Sequence, residues 1–280
     1  MKNVIVVPNV SKDKGFSVTD RIVEKLVSIG MNVFIDSTIE YTNSAVNVYD
    51  NVPDNIDLIV VIGGDGSVID ASQMAIDMDV PLLGINLGRL GYLAEVEVDD
   101  ISTLEKIVDG SYSITEKMLL SVAFKNNVAI DRYAVNDVSV SRDSLFNIAD
   151  IRVEDSSENS VKIRADGVIL STPQGSTAYS FSAGGPIVAH DVESVLLTPV
   201  SSHSFFNRSV LFNSSEIIKI TNMGQFDLNV NVDGRSVGSI ASGEYCLVKK
   251  ADKHVKMLTF KKNSMFTSLF KKMRILGDID

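Results

Sequence analysis

Five consecutive apolar residues, Leu58 to Ile62, are followed at once by the segment Gly63-Gly64-Asp65-Gly66-Ser67. A strand without a polar face is buried on both sides, which is typical of a central strand in a parallel sheet. The glycines after it allow the backbone to turn tightly and to approach a ligand closely. Because a helix is predicted next, near Val68 to Met78, its positive end would favour a phosphate group at this turn.

The rest of the first hundred residues continues the alternation of strands and helices. Apolar runs predict further strands at residues 4–7, 32–36 and 81–86, and an apolar stripe at helical spacing after Ser17 predicts a helix that ends at Gly30. Strands that alternate with helices indicate a doubly wound parallel sheet. Residues 1–100 are therefore predicted to form a Rossmann-like α/β domain that carries the glycine turn.

The pattern changes near residue 100. A short helix is predicted over residues 101–108, and after it apolar and polar residues alternate in short segments, which indicates antiparallel sheets. Residues 101–261 are predicted to form an all-β, sandwich-like domain. A helix is predicted over Met265 to Leu276, and residues 262–280 are expected to pack back on the first domain. The predicted strands cover residues 119–124, 128–141, 151–154, 161–164, 217–221, 226–232, 245–249 and 255–260.

Composition and charge limit the kinds of partner. The chain has 280 residues, and 26 Lys and Arg against 36 Asp and Glu give a net charge of −10. Nucleic-acid binding proteins usually carry a basic excess, so that class is disfavoured. No window has the ~18–20 apolar residues of a membrane span, and no secretion signal is recognised. A single cysteine, Cys246, excludes an internal disulfide and, with three scattered histidines, disfavours a zinc site, so a cytoplasmic location is expected.

Asp65 is an unusual neighbour for a phosphate group, because two anions repel. It fits there as a base for an attacking hydroxyl or as a ligand of a metal–phosphate complex. A helix-capping aspartate in an ordinary turn is the alternative, and this segment alone does not decide between them. The chain contains neither the loop Gly-x-x-x-x-Gly-Lys-Ser nor, in residues 8–15, the fingerprint Gly-x-Gly-x-x-Gly.

A second segment, from Asp166 to Pro186, is dense in small and hydroxyl-bearing residues. It suits a loop that passes close to a ribose or a base edge, and Tyr179 offers a face on which an aromatic ring could stack. An ordinary turn-rich loop is the alternative.

Three motifs together resemble the NAD kinase family. They are the turn from Gly63 to Ser67, the pair Asn136-Asp137 and the segment Thr172-Pro173-Gln174-Gly175-Ser176-Thr177-Ala178-Tyr179. The segments Asn86 to Leu93 and Val232-Asp233-Gly234, and His203 with Arg208, also resemble that family, in its order and over almost the whole chain. The Gly-Gly-Asp-Gly turn alone is weak evidence for this family, because lipid kinases and phosphofructokinases share it. The segment that begins at Thr172 is much more specific.

The resemblance implies transfer of the γ-phosphoryl group of ATP, or of another nucleoside triphosphate or polyphosphate, to the 2′-hydroxyl of the adenosine ribose of NAD. Asp65 would be the general base. The rest of the turn would hold phosphate groups, which assigns that role to Gly63, Gly64, Gly66 and Ser67.

The resemblance also implies where the dinucleotide binds in the second domain. Asn136 and Asp137 would bind ribose hydroxyls, and Arg164 and Asp166 would hold the far end of the dinucleotide. His203 would lie close to the pocket for the adenine and its ribose. That pocket would be lined by Thr177, Ala178, Tyr179, Ser180, Phe181 and Ser182.

Mg²⁺ or another divalent cation would accompany ATP, and no dedicated metal site is expected because such an ion needs only one or two protein carboxylates. The strand edges of a β domain and the resemblance imply a homodimer or homotetramer. Some positions differ from the family pattern and bear on fine geometry and donor preference. They are Gln174 in place of Thr, Ala165 in place of Gly, Ser201 and Ser202 in place of Cys-Pro, and Ser209 in place of Pro.

Two other functions remain as alternatives. A lipid kinase or phosphofructokinase could carry the same glycine turn, but the segment from Thr172 to Tyr179 disfavours it. A non-catalytic dinucleotide sensor could keep the pocket, but it would have no need for Asp65.

Overall fold

The structure is a computed structural model that describes residues 1–88, 91, 93–125, 128–143 and 147–260. The chain divides into two compact units, the first formed by Met1–Glu116 and residues 255–260, the second by Lys117–His254. The first unit thus extends beyond residue 100, where the sequence pattern changes. The helix predicted over Met265 to Leu276, and the predicted return of residues 262–280, lie outside the described residues.

The first unit is an α/β structure built on a parallel sheet. Its elements are β1 (Asn3–Pro8), α1 (Ser17–Ser28), β2 (Asn32–Asp36), β3 (Val46–Tyr49), β4 (Leu58–Gly63), α2 (Asp65–Met78), β5 (Leu82–Asn86), β6 (Ala94–Glu97) and a 3₁₀ helix over Val98–Ile107. The strands pair in the order β3-β2-β1-β4-β5-β6, and every pair is parallel. This confirms the parallel sheet predicted from the alternation of strands and helices.

β4 lies at the centre of this sheet, and all of its residues are buried. Alternate residues of the strand, Leu58, Val60 and Ile62, share one hydrophobic core with Ile22 and Leu26 of α1. The residues between them point to the other face, where α2 packs on β4 and β5. Helices therefore cover both faces, which explains why the strand has no polar side.

The second unit consists of antiparallel strands. Strands β7 (Ser113–Phe124) and β18 (Tyr245–Thr259) contribute residues to both units. The remaining elements are β8 (Val128–Ala129), β9 (Asp137–Arg142), β10 (Ala149–Glu154), β11 (Ser160–Ala165), β12 (Gly167–Ser171), a 3₁₀ turn over Gln174–Thr177, α3 (Tyr179–Ser182), β13 (Ser194–Val200), β14 (Val210–Asn213), β15 (Ile218–Asn222), β16 (Leu228–Val232) and β17 (Arg235–Ile240).

Two groups of strands enclose the core of this unit. Six strands pair in the order β14-β13-β12-β9-β16-β17, and four others pair in the order β11-β10-β15-β18. Val138 and Val140 from the first group belong to the same hydrophobic cluster as Ile151 and Ile220 from the second. A core shared between two antiparallel layers is the arrangement of a β-sandwich.

Some predicted strands differ from the observed ones. Residues 245–249 and 255–260 were predicted as separate strands, but β18 runs through both, because the charged residues between them lie on an exposed face while Ala251 stays buried. The prediction of one strand over residues 128–141 is wrong as well, since it contains β8 and β9 with a turn between them. Strand β13 was not predicted. It tolerates Pro199 because its pairing with β14 ends at Leu197.

No helix among the described residues combines the length and the hydropathy that a membrane crossing requires.

Candidate active site

The glycine turn joins β4 directly to α2. Gly63 ends the strand, Gly64 is the N-cap residue of the helix, and Asp65 is its first residue. A Cβ at Gly63 would lie 2.5 Å from the Cβ of Ser67, so the first helical turn packs on the strand end only because residue 63 is glycine. Within the described part of the chain no side chain caps this helix. Its first backbone N–H groups therefore suit a phosphate group.

Asp65 is held by the backbone that leads into β6. Its Oδ1 accepts hydrogen bonds from Leu93 N at 3.0 Å and from Ala94 N at 3.4 Å. Gly91 leaves room for this carboxylate, because a Cβ at residue 91 would lie 2.7 Å from Asp65 Cγ. The turn therefore holds a half-buried carboxylate in a defined position beside the helix N-terminus.

Lys12 and Asn9 follow β1 and lie beside the same turn. Lys12 Nζ lies 3.2 Å from the position that a Cβ at Gly64 would occupy. Asn9 Nδ2 donates a hydrogen bond to Ser67 Oγ at 2.7 Å. The local sequence does not mark Lys12 as a site residue. Its position follows from the pairing of β1 with β4, which brings the two loops to one edge of the sheet.

In the second unit, the pair Asn136-Asp137 lies against the segment that begins at Thr172. Thr172 N donates a hydrogen bond to Asn136 O at 2.9 Å, and the Thr172 hydroxyl donates one to Val135 O at 2.7 Å. A Cβ at Gly175 would lie 2.6 Å from Asn136 Cα, so this close approach requires glycine. The structure thus brings two of the predicted motifs together.

Asp137 is 5% exposed, and no hydrogen bond to its carboxyl group is found among the described residues. Burial, together with the charge of Asp233, raises the pKa of Asp137 to about 7. Asn136 is half-buried beside it. This pair is suited to hydroxyl groups of a ligand.

Asp166 and Tyr179 line one cavity of about 230 Å³ together with Arg142. Arg142 Nη2 lies 2.8 Å from Asp166 Oδ1, and Arg142 Nη1 donates a hydrogen bond to Asn147 O at 3.0 Å. The sequence pattern did not identify Arg142 as the ionic partner of Asp166. Arg142 ends β9 and Asp166 directly precedes β12, so their contact depends on the pairing of β9 with β12.

Arg164 and His203 are neighbours in the structure. His203 N donates a hydrogen bond to Arg164 O at 2.8 Å, and the side chain of His203 is exposed. Arg164 Nε lies 2.9 Å from Asp150 Oδ1, and Arg164 is not among the residues that line the cavity beside Asp166. Arg164 and Asp166, although two residues apart, therefore pair with different elements.

The six predicted pocket residues around α3 divide into two kinds. Ser180 is fully buried, and its Oγ lies 2.8 Å from Thr198 Oγ1, so this hydroxyl anchors α3 to β13. The other residues keep at least part of their surface exposed, and they are Thr177, Ala178, Tyr179, Phe181 and Ser182.

The donors at the glycine turn suit a hard cation. The Asp65 carboxylate and the Ser67 hydroxyl are oxygen ligands of the kind that Mg²⁺ binds. Among the described residues, no three His, Cys, Asp or Glu side chains converge on one point.

A carboxylate at a helix N-terminus that suits phosphate, on a parallel α/β sheet, is typical of a kinase, and the second unit presents polar groups that suit hydroxyl groups of a ligand. Residues 4–112 match the ATP-NAD kinase N-terminal domain, and residues 135–260 match the ATP-NAD kinase C-terminal domain. The NAD kinase of Natranaerobius thermophilus is 31% identical over an alignment of 280 positions, which covers 98% of this chain and 98% of that one. The chain therefore belongs to the NAD kinase family, whose members phosphorylate NAD.

Solved structures agree with this family. An NAD kinase from Archaeoglobus fulgidus in complex with ATP has a TM-score of 0.74 and 25% identity, and the match covers 98% of this chain and 100% of that one. Yeast NADH kinase complexed with NADH has a TM-score of 0.87 at 21% identity, over 100% of this chain and 89% of that one, and so shares the fold.

Proposed function

We propose that the chain transfers the γ-phosphoryl group of ATP to the 2′-hydroxyl of the adenosine ribose of NAD and so forms NADP. The observation that carries this proposal is the defined position of Asp65, whose Oδ1 is held by two backbone N–H groups beside the N-terminus of α2. A carboxylate held in this way can accept a proton without losing its place. Asp65 is therefore the general base of the proposed reaction.

The proposed step exchanges one P–O bond for another. The 2′-oxygen forms a bond to the γ-phosphorus, and the bond between that phosphorus and the β–γ bridging oxygen breaks. The hydroxyl proton passes to Asp65, and ADP leaves. A positioned base contributes ~10²–10⁴-fold to the rate. The remainder comes from the alignment of the two substrates and from charge stabilisation at the transferred group.

The glycine turn would supply that charge stabilisation. Backbone N–H groups from Gly64 to Ser67 stand at the positive end of α2 and suit the phosphate oxygens of the donor. The ammonium group of Lys12, beside Gly64, adds a full positive charge at the same place. A divalent cation bound to ATP would neutralise further phosphate charge, and the Ser67 hydroxyl is the oxygen of this turn that would hold it.

The second unit would bind the dinucleotide. Asp137, buried and without a hydrogen-bond partner among the described residues, and the adjacent Asn136 would bind ribose hydroxyls. Asp166, oriented by Arg142, would meet the far end of the dinucleotide in the cavity that Tyr179 also lines. Tyr179 is 46% exposed and offers its ring for stacking.

The remaining predicted residues have supporting roles in this proposal. Thr177, Ala178, Phe181 and Ser182 would complete the pocket around α3, and Ser180 would hold that helix in place through Thr198. Arg164, on β11, and His203, in the loop after β13, would border the pocket.

NADP formation from NAD, ATP and Mg²⁺ tests the proposal, with a coupled NADP-specific dehydrogenase as the readout. The Asp65→Asn variant is compared with wild type and with Asp77→Asn, which removes an exposed charge near the end of the same helix. We expect kcat to fall by a factor of ~100 or more in Asp65→Asn, with NAD binding retained, and no change in the control.

Each outcome of this assay distinguishes the alternatives. If the wild-type protein binds NAD but forms no NADP with ATP or with polyphosphate, the protein is a dinucleotide sensor. Wild type that phosphorylates a lipid or a sugar phosphate instead would be a kinase of another class. Normal turnover in Asp65→Asn would remove Asp65 from the role of general base.

We also propose that the protein acts in the cytoplasm as a homodimer or homotetramer. β14 and β17 are the outer strands of the six-stranded sheet, and Leu211 on β14 is 51% exposed. An apolar side chain on an outer strand favours pairing with a second copy. Cys246, the single cysteine, is buried and free, in keeping with a reducing compartment. Sedimentation of a monomer at micromolar concentration would contradict the oligomer.

A further inference from the structure

The hairpin between β16 and β17 turns at Asp233 and Gly234. Their φ angles are 48° and 76°, and two positive φ values in a two-residue hairpin loop are typical of a type I′ turn. Asn, Asp and Gly all suit the first position of such a turn. The turn therefore accounts for a small polar residue at position 233, but it does not account for a negative charge.

The carboxylate of Asp233 receives three consecutive backbone N–H groups. Val135 N donates to Oδ2 at 2.8 Å, and Asn136 N and Asp137 N donate to Oδ1 at 2.8 Å and 3.0 Å. In return, Asp233 N donates to Asp137 O at 2.9 Å. Hydrogen bonds from N–H groups to a carboxylate are stronger than those to a neutral acceptor, so the charge has a structural use at this position.

The same stretch of backbone is held from its other side. The carbonyl groups of Val135 and Asn136 accept hydrogen bonds from Thr172, and Gly175 packs against Asn136. Residues 135–137 have therefore little freedom to shift, although they precede or begin a strand rather than lie within one. The residues held in this way include the pair that would bind the ribose.

We propose that Asp233 is a positioning residue for the dinucleotide, because its carboxylate holds the backbone that presents Asn136 and Asp137 to the ribose hydroxyls. This inference rests on the proposed function, in which that pair binds NAD. Asp233 itself does not touch the substrate in this proposal. Its effect passes through the three N–H groups that it accepts.

The charge of Asp233 has a second effect on the same pair. It adds to burial in raising the pKa of Asp137, and Arg132 is the cation whose charge acts on Asp233 in turn. If Asp137 accepts hydrogen bonds from ribose as a carboxylate, NAD binding strengthens as the pH rises through about 7. Removal of the charge at position 233 lowers the pKa of Asp137, so the same increase in affinity would occur at a lower pH.

The test compares Asp233→Asn with wild type and with Asp227→Asn. Asparagine suits the turn. Its amide nitrogen replaces one carboxylate oxygen, however, and cannot accept a hydrogen bond from the backbone N–H groups of residues 135–137. Asp227 is exposed just before β16 and controls for the loss of one charge near the same strand. We expect the KM for NAD to rise about tenfold or more in Asp233→Asn, with a smaller change in kcat and none in the KM for ATP.

The pH dependence of NAD binding gives the readout that a purely structural role would leave unchanged. It is measured by titration between pH 5.5 and 8.5, and the midpoint should move to lower pH in Asp233→Asn only. An active Asp233→Asn variant with the wild-type KM and midpoint would overturn the inference while leaving the proposed function intact. Should Asp233→Asn fail to fold, Asp233→Gly, which also suits positive φ, takes its place. Unfolding of both would assign Asp233 to stability and equally overturn the inference.

Discussion

Replacement of Gly175 by alanine should move the segment that begins at Thr172 away from the pair Asn136-Asp137. The added Cβ would lie 2.6 Å from Asn136 Cα and closer still to the carbonyl group of that residue. Ordinary van der Waals contact begins at 3.4 Å, so the two backbones must move apart by at least 3.4 − 2.6 = 0.8 Å. No side-chain rotation can relieve this contact, because the backbone fixes the position of the new Cβ and the contacted atoms of Asn136 belong to the main chain.

Two consequences follow from a displacement of this size. Misplacement of a binding group by about 1 Å costs up to ~100-fold in catalytic efficiency, and here the displaced group is the pair Asn136-Asp137. Overpacking in a well-packed region also costs about 1–3 kcal/mol of stability. We therefore expect kcat/KM for NAD to fall by a factor of ~10–100, with a lower melting temperature but a folded protein.

The assay is the coupled measurement of NADP formation, with thermal unfolding of the same samples. Gly224→Ala is the matched control, because a Cβ there would meet its nearest neighbour at 3.4 Å and the others at 3.7 Å and 3.8 Å. That variant should behave as wild type in both measurements. If Gly175→Ala kept the wild-type kcat/KM and melting temperature, the close approach to Asn136 would not be a feature of the protein in solution.

Three further outcomes are expected. Lys12→Met should raise the KM for ATP about fivefold, because one exposed charge contributes ~1 kcal/mol to binding. Lys14 is an exposed lysine two residues away, and Lys14→Met should leave the KM for ATP unchanged. Arg142→Met removes the ionic partner of Asp166, so the KM for NAD should rise while the KM for ATP stays constant. The pKa of Asp137 is raised from 3.8 to about 7, so the folded state holds a proton that the unfolded state has lost, and the stability from this group declines as the pH rises from about 4 to 7. Asp137→Asn should therefore raise the melting temperature more at pH 8 than at pH 5, relative to wild type.

The α/β unit could be predicted closely from the sequence because its signals are local. β4 is apolar throughout since both of its faces are covered, and the glycine turn follows it without a gap. β2 lies at Asn32–Asp36, the residues predicted from one short apolar run. In contrast, β3 and β6 have only four residues each, so pairing with longer neighbours rather than their own sequence defines them.

The site in the second unit could be predicted only in part, because its contacts join residues that are far apart in sequence. Asp233 lies 97 positions from Asn136, the residue whose N–H it accepts. The Val-Asp-Gly segment was part of the resemblance, but its residue types indicate only a turn and do not identify the backbone to which Asp233 is hydrogen-bonded. Arg142 and Asp166 meet for the same kind of reason, since only the register of β9 against β12 brings them together.

The glycine turn of the first unit and the segment from Thr172 in the second unit use their small residues in different ways. In the segment from Thr172, the polar groups bond mainly within the protein: Thr172 holds Val135, and Ser176 Oγ donates to Pro173 O at 2.7 Å and accepts from Val188 N at 3.0 Å. In the glycine turn, the backbone N–H groups of the helix N-terminus lack a side-chain cap. In the proposed function, the first motif therefore shapes the platform for the dinucleotide, and the second acts on the phosphates directly. Substitutions in the first should accordingly appear in the KM for NAD, and substitutions in the second should appear in kcat and in the KM for the phosphoryl donor.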